Sequence, residues 1–452
     1  MNALSELTRS FLSFSWSMSL YGPVQAWRTA AAPLSPDEAD RAESGYDSVA
    51  WVAGRELPGA WNEAFLAGDS LQRDLTDLGL AMLPRDLLDP GAWLDSGEAA
   101  LTAFGEGLRF AVPDRRGRLA WREIGNKVEV FGLVKRVGEK IGVPGAGEPF
   151  DLPALVARSY ELDSYEALWA VEGLGHAYAD HLWPRGGPTP TGLLAREAAD
   201  TVPATSLLML HAGIGLAFAE RRIVPLLPAV SPEEIATVVA EIVELCRANS
   251  LPGDVGAAWE SMGLYTRSFH PQLLTAVDEA VRRVAPEVRG YYWHGAGRAF
   301  YFLPINFLPC GWTAWRPFEM AREQAPDEEA RLGAWAGLAW AATLVNMRQP
   351  EVLAHLLVGP HGHELAANGG FANGVASSLV MRWDTTPGAE LVERFLAYRP
   401  SGDPELARRW DELVRRPAET AVERWHPVLA RAGQLGEVFR YQDLAALVAR
   451  LS

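Results

Sequence analysis

"HGAGRAFYF", residues 294–302, sets two glycines one residue apart, an arginine directly after them and aromatic residues close by. A loop that cradles phosphate is one reading of such a pair. That reading needs a preceding strand, a third glycine at a fixed offset and an acid downstream; the flanking residues instead keep a helical spacing. The motif also recurs. "EGLGHAYAD" (172–180) aligns with "AGIGLAFAE" (212–220), pairing Gly173 with Gly213, Gly175 with Gly215, Ala177 with Ala217 and Asp180 with Glu220. "AGLAWAA" (336–342) keeps the frame with Gly337, Ala339 and Ala341, "GGFANG" (369–374) with Gly370, Ala372 and Gly374, and "ESMGLY" (260–265) with Ser261 and Gly263. The first small positions, 173, 213, 261, 295, 337 and 370, are 40, 48, 34, 42 and 33 residues apart.

A period of about 40 residues is that of stacked helix pairs. Glycine inside a helix costs up to about 1 kcal/mol against alanine, so something must offset it, and a neighbouring backbone at close range does so. The expected fold is therefore all-α: a helical-repeat domain of αα-hairpins over 151–452, either an open solenoid or a closed α/α toroid. Helix signals in that region agree. In "SPEEIATVVAEIVELCRANSLPG" (231–253), Ser231 and Glu234 predict a capping box, Pro232 takes the first helical position, and Asn249, Pro252 and Gly253 end the run.

The chain before 150 has a different texture. Residues 1–32 form an apolar N-terminal segment in which "FLSFSWSMSLYGPVQAW" (11–27) is almost uncharged, and 33–150 is a mixed region. Within it "LRFAVPDRRGRLAWREI" (108–124), two apolar runs about a Pro-Asp-Arg-Arg-Gly turn, predicts a short β-hairpin. The Gly/Pro-rich end of this region places the main domain boundary at 150.

Composition excludes several classes. A net charge of −16 and a pI of about 5.1 oppose nucleic acid, which demands a basic surface. The two cysteines, Cys246 and Cys310, supply neither a disulfide framework nor a cysteine-rich zinc site, so a reducing, cytoplasmic setting is expected. No run reaches the roughly 18 apolar residues of a membrane span; peripheral membrane contact through the N-terminal segment is the association left open. No Walker pattern or nucleophile elbow is present. His176, Asp180 and His181, and likewise His361, His363 and Glu364, match no metal signature of known spacing. Neither a cofactor nor a metal is expected.

Taken in order, "EGLGHAYAD", "LLMLHAGIGLAFAE", "GAGRAFYF", "GAWAGLAWAATLV" and "ANGGFANGVA" resemble a family of uncharacterised bacterial proteins encoded beside enediyne polyketide biosynthesis genes. The resemblance spans roughly 160–380. It implies accessory work in a natural-product pathway or a related membrane-linked system, and brings no catalytic residues with it.

Candidate site residues follow from the repeat register. Just before the first small residue stand Glu172, Glu260 and His294; one step earlier stand His211, Trp259, Trp293, Trp335 and Asn368. His176 and Arg298 are equivalent and lie four residues beyond Glu172 and His294. Stacked in register, equivalent positions line one surface. A tryptophan stripe with interspersed Glu and His then borders a groove or pocket; alternatively, the tryptophans fill the core between layers. Two functions stay open. One is a protein that binds an apolar small molecule or a partner protein on an aromatic face. The other is an enzyme, an acid/base isomerase or cyclase type, with Glu172, His294 and Arg298 as acid/base and orienting groups. An enclosed pocket where those three converge favours the enzyme; an open groove with the polar groups pointing apart favours binding.

Overall fold

The computed structural model describes residues 115–452 other than 146, 185, 227–230, 304, 305 and 307–314. The readings for residues 1–114, and Cys310, fall outside that range. Among the described residues all regular structure is helical, as the all-α expectation requires. The second half of the expected β-hairpin is instead the start of a long helix, α1 (Arg115–Ile141). Its buried residues Leu119, Ala120, Glu123, Ile124, Asn126, Lys127 and Val130 recur at three and four residues, and that period outweighs the local turn signal. Residues Asp114–Ser452 form one compact unit. Helix α1 thus belongs to the helical body rather than preceding a boundary at 150. Asn126 fastens it there, donating to Asn346 Oδ1 at 2.9 Å.

The helices used below are α2 (Leu152–Tyr160), α3 (Ser164–Leu182), α4 (Ala204–Ile223), α5 (Pro232–Asn249), α6 (Val255–Phe269), α7 (Leu274–Val284), α8 (Arg289–Tyr301), α9 (Arg316–Gln324), α10 (Glu328–Val345), α11 (Pro350–Leu356), α12 (Gly359–Ala366), α13 (Gly370–Thr385) and α14 (Glu390–Ala397), with shorter helices between and after them. The predicted capping box opens α5, with Ser231 N–H donating to Glu234 Oε2 at 2.8 Å and Glu234 N–H to Ser231 Oγ at 3.2 Å. The six motif-bearing helices, α3, α4, α6, α8, α10 and α13, each pack against the next. They are inner helices: every residue from Tyr291 to Tyr301 of α8 is buried. Helix α7, which links two of them, is amphipathic instead, burying Leu274, Val277, Ala280 and Val281 on one face. The succession also turns back on its start. Tyr165 of α3 donates to Val345 O of α10 at 3.0 Å, and Arg382 of α13 donates to Ser164 O.

The paired glycines lie where neighbouring backbones meet. A Cβ built on Gly213 would sit 2.1 Å from Glu172 O, one on Gly295 2.0 Å from Glu260 O, and one on Gly337 1.9 Å from His294 O. Each of those carbonyls belongs to the preceding inner helix. Gly175, Gly215, Gly263 and Gly297 face the following helix instead, at 2.3 Å from Leu210 O, 2.2 Å from Ala258 O, 1.8 Å from Tyr292 O and 2.1 Å from Ala334 O. Two residues turn the chain about 200° around a helix. A Gly-x-Gly pair therefore thins opposite faces and admits one neighbour on each. Ser261 takes the first position in α6, and its hydroxyl donates to Ala212 O at 2.8 Å, so the small polar side chain bonds what glycine elsewhere merely touches.

The register expected for α13 is corrected. Gly374, not Gly370, meets the preceding helix as the other first positions do, 2.1 Å from Ala336 O. The sequence "GGFANG" offers a glycine on either turn, and only packing chooses between them. The last small-residue motif thus begins one helical turn later than the sequence frame placed it.

Gly297→Ala is expected to destabilise the protein by about 1–3 kcal/mol or more through overpacking. Gly125→Ala on α1, where an added Cβ meets nothing within 4 Å, is expected to stabilise by up to about 1 kcal/mol. Chemical denaturation of the two variants checks the contrast, and equal effects would overturn the backbone-contact account.

Candidate functional site

The tryptophan stripe divides from the charged residues. Trp259 donates its indole N–H to Val243 O of α5 at 3.3 Å, Trp293 to Asp278 Oδ1 of α7 at 2.7 Å, and Trp335 to Phe318 O of α9 at 3.1 Å. Each bond ties an inner helix to the linking helix before it. These side chains fill the space between layers, so they border no groove with the charged positions. Trp335 is further packed edge-on against Phe318 and Trp315.

One step along each helix, the polar side chains converge. Glu260 and His294 are wholly buried, Arg298 is 3% exposed and Glu172 8%. His294 Nδ1 lies 3.0 Å from Glu260 Oε1, Arg298 Nη1 donates to Glu260 Oε2 at 2.9 Å, and Arg298 Nη2 donates to Glu172 Oε1 at 2.9 Å. Helices α3, α6 and α8 contribute them. His294 and Arg298 are four residues apart and share one face of α8. The three residues expected to act together do meet, and Glu260, expected among the ligand-binding residues, is the group that joins them.

A carboxylate only accepts hydrogen bonds. The imidazole of His294 therefore carries its proton on Nδ1 toward Glu260 and leaves a lone pair on Nε2. That Nε2 is buried and has no hydrogen-bond partner among the described residues. Burial pushes the His294 pKa below the ordinary histidine value, against the opposing pull of Glu260, so the ring is neutral near pH 7. Burial alone would lower the Arg298 pKa too, but the carboxylates of Glu260 and Glu172 reverse that and raise it. Aromatic residues wall the group. The Arg298 guanidinium lies 4.3 Å from the Trp340 ring centre, and His294 meets Trp340 at 6.1 Å and Phe439 at 6.3 Å, both edge-on. Trp340 occupies the repeat position of Arg298 and was legible on that ground. Phe439, from the short 3₁₀ turn Leu435–Phe439, carries no such signal because it lies outside the repeats.

The remaining candidates have structural partners. His211 is wholly buried; its Nδ1 donates to Leu207 O at 2.6 Å and its Nε2 accepts from Leu251 N–H at 3.0 Å. Both nitrogens are used, which removes it from any ligand face. His176 Nε2 pairs with Glu220 at 2.8 Å. Asn368 lies outside the tryptophan register, just before α13, and accepts from Gly370 N–H at 3.1 Å. Asp180 is bound by Arg221, and His181 packs on Phe150. His361, His363 and Glu364 are on helix α12; His361 stacks on Trp315 at 4.2 Å, His363 contacts Arg409, and Glu364 pairs with Arg322. Among the described residues no group of three or more metal-ligating side chains assembles.

A separate pocket of about 410 Å³ opens where α2, α3, α4 and α13 approach one another, and Tyr160, Ser164, Thr205, Thr385 and Thr386 bring hydroxyls to it. None of the four converging residues lines it. No described helix is long and apolar enough to cross a membrane. No protein-family model, curated protein or solved structure matches the chain.

Arg298→Met leaves two buried carboxylates facing each other without their cation. A loss of about 3–5 kcal/mol is expected by urea denaturation, against a smaller loss for Glu172→Gln at the edge of the group. His211 sets a pH dependence. Its folded-state pKa, pushed down to about 4 by burial, lies below that of the unfolded chain near 6.5, so the unfolded state gains the proton first as pH falls. Stability should decline from about pH 6.5 to about pH 4, with His211 adding about 1.4 kcal/mol per pH unit. His211→Asn should show a shallower slope by that amount.

Proposed function

We propose that Glu172, Glu260, His294 and Arg298 form the acid/base site of an enzyme of secondary metabolism, an isomerase or cyclase type, acting on an apolar polyene or terpenoid-like substrate inside a closed α/α arrangement. One observation carries this reading: the lone pair of His294 Nε2, held among aromatic rings while the other nitrogen is anchored to Glu260. A carboxylate behind an imidazole fixes its tautomer and offsets the positive charge it gains on taking a proton. Arg298 holds Glu260 in place and is itself braced by Glu172. The aromatic wall suits an apolar substrate and excludes water. The resemblance to proteins encoded beside enediyne biosynthesis genes supports the setting.

The 410 Å³ pocket favours a second reading, in which the chain binds an apolar metabolite or a partner protein without transforming it. Pockets that hold small molecules begin near about 300 Å³. Incubating the protein with an extract of small molecules from its own host separates the two. Under the enzyme reading, chromatography with mass detection shows one compound replaced by an isomer of equal mass. His294→Gln, which keeps a donor toward Glu260, slows that conversion by about a hundredfold. Retention of an unchanged compound by native mass spectrometry, abolished by Thr205→Trp and untouched by His294→Gln, would establish the binding reading instead.

A further inference from the structure

Three buried polar atoms around the convergence lack hydrogen-bond partners among the described residues: His294 Nε2, Arg298 Nε and Trp340 Nε1. Their side chains are 0%, 3% and 0% exposed, and His294 and Arg298 both lie against Trp340, the guanidinium over the indole and the imidazole at 80° to it. A buried group without a partner bears its desolvation with nothing in return, and three together mark a place where something else completes the bonding. The set is also chemically specific. Arg298 Nε and Trp340 Nε1 are N–H donors, whereas His294 Nε2, with its proton on Nδ1, is an acceptor. Two carboxylates stand against one guanidinium here, so a second anion is unwelcome and a neutral molecule is favoured.

We infer that the reacting group of the substrate is a carbonyl with a removable proton on the adjacent carbon, an inference that rests on the acid/base reading above. The carbonyl oxygen accepts from Trp340 Nε1–H and Arg298 Nε–H. His294 Nε2 takes the proton from the adjacent carbon. The C–H electron pair becomes the new C=C bond, the C=O π pair moves onto oxygen, and the two donors hold the resulting enolate. Glu260 offsets the imidazolium charge. Return of the proton to the same carbon restores the ketone; return to the far carbon of a conjugated system moves the double bond. No oxidant, reductant or co-reactant enters.

The test uses the full chain with 2-cyclohexenone as probe and cyclohexene as its hydrocarbon counterpart. In D2O, the wild type is expected to speed deuterium uptake next to the ketone, read by mass spectrometry. His294→Gln and Trp340→Phe should each lower that rate about a hundredfold, with circular dichroism confirming that both fold. The Trp340 indole N–H resonance needs no variant and should move with the ketone and not with cyclohexene. Equal movement with both probes, absence of accelerated uptake, or a resident water that satisfies all three groups and resists both probes would each overturn the carbonyl inference. Nitrogen-15 spectra of His294 keep the two claims apart. An unprotonated Nε2 without accelerated uptake defeats the carbonyl inference alone, while a proton on Nε2 at neutral pH defeats both.

Discussion

Contact between glycine Cα atoms and the carbonyls of neighbouring helices is the constraint on which this architecture depends. A Cβ at Gly213, Gly295, Gly297 or Gly337 would lie near 2 Å from a backbone oxygen, where no rearrangement of a side chain relieves the overlap. Because the two members of each pair face opposite sides, one inner helix is gripped between two others. The spacing of the inner row is thus set by main chain, not by side-chain bulk. Side chains beside the contact must then leave in one of two directions. Those one step before the first glycine go inward, and those two steps before it go out toward the linking helices.

That division explains why tryptophan and charge separate so cleanly. Trp259, Trp293 and Trp335 each find a carbonyl or carboxylate on the outer layer for the indole N–H, which lets a large ring be buried without an unpaired donor. Glu260, His294 and Arg298 are forced into the interior, where charge is tolerated only with compensation. Arg298 supplies it by reaching across to both Glu260 and Glu172. A buried ion group of this kind is a poor source of stability against an apolar core of equal volume. An imidazole nitrogen that meets no hydrogen-bond partner among the described residues makes the group a candidate for chemistry rather than for support.

The all-α class, the Ser231–Glu234 capping box and the place of the small residues were legible in the sequence, because periodicity, caps and glycine cost are local properties. So was the membership of Glu172, His294 and Arg298 in one group, since the repeat aligned them. The short hairpin was misread because a Pro-Asp-Arg-Arg-Gly turn signal is local too, and α1 obeys a burial pattern that its neighbours α3, α10 and α11 impose. The register of α13 was misread because two glycines four residues apart are equivalent to the eye and differ only in which one meets Ala336.

By itself, then, the sequence determined that rods would form, roughly where they begin, and which residues must be small where they touch. Tertiary structure alone decided which face of each rod looks inward. That choice put Glu260 between His294 and Arg298, turned the tryptophans away from them, set Trp340 and Phe439 around the imidazole, and left His211 bonded on both nitrogens. The physical reason is that a helix presents its whole circumference, and only the neighbours on either side select the direction in which each side chain is enclosed.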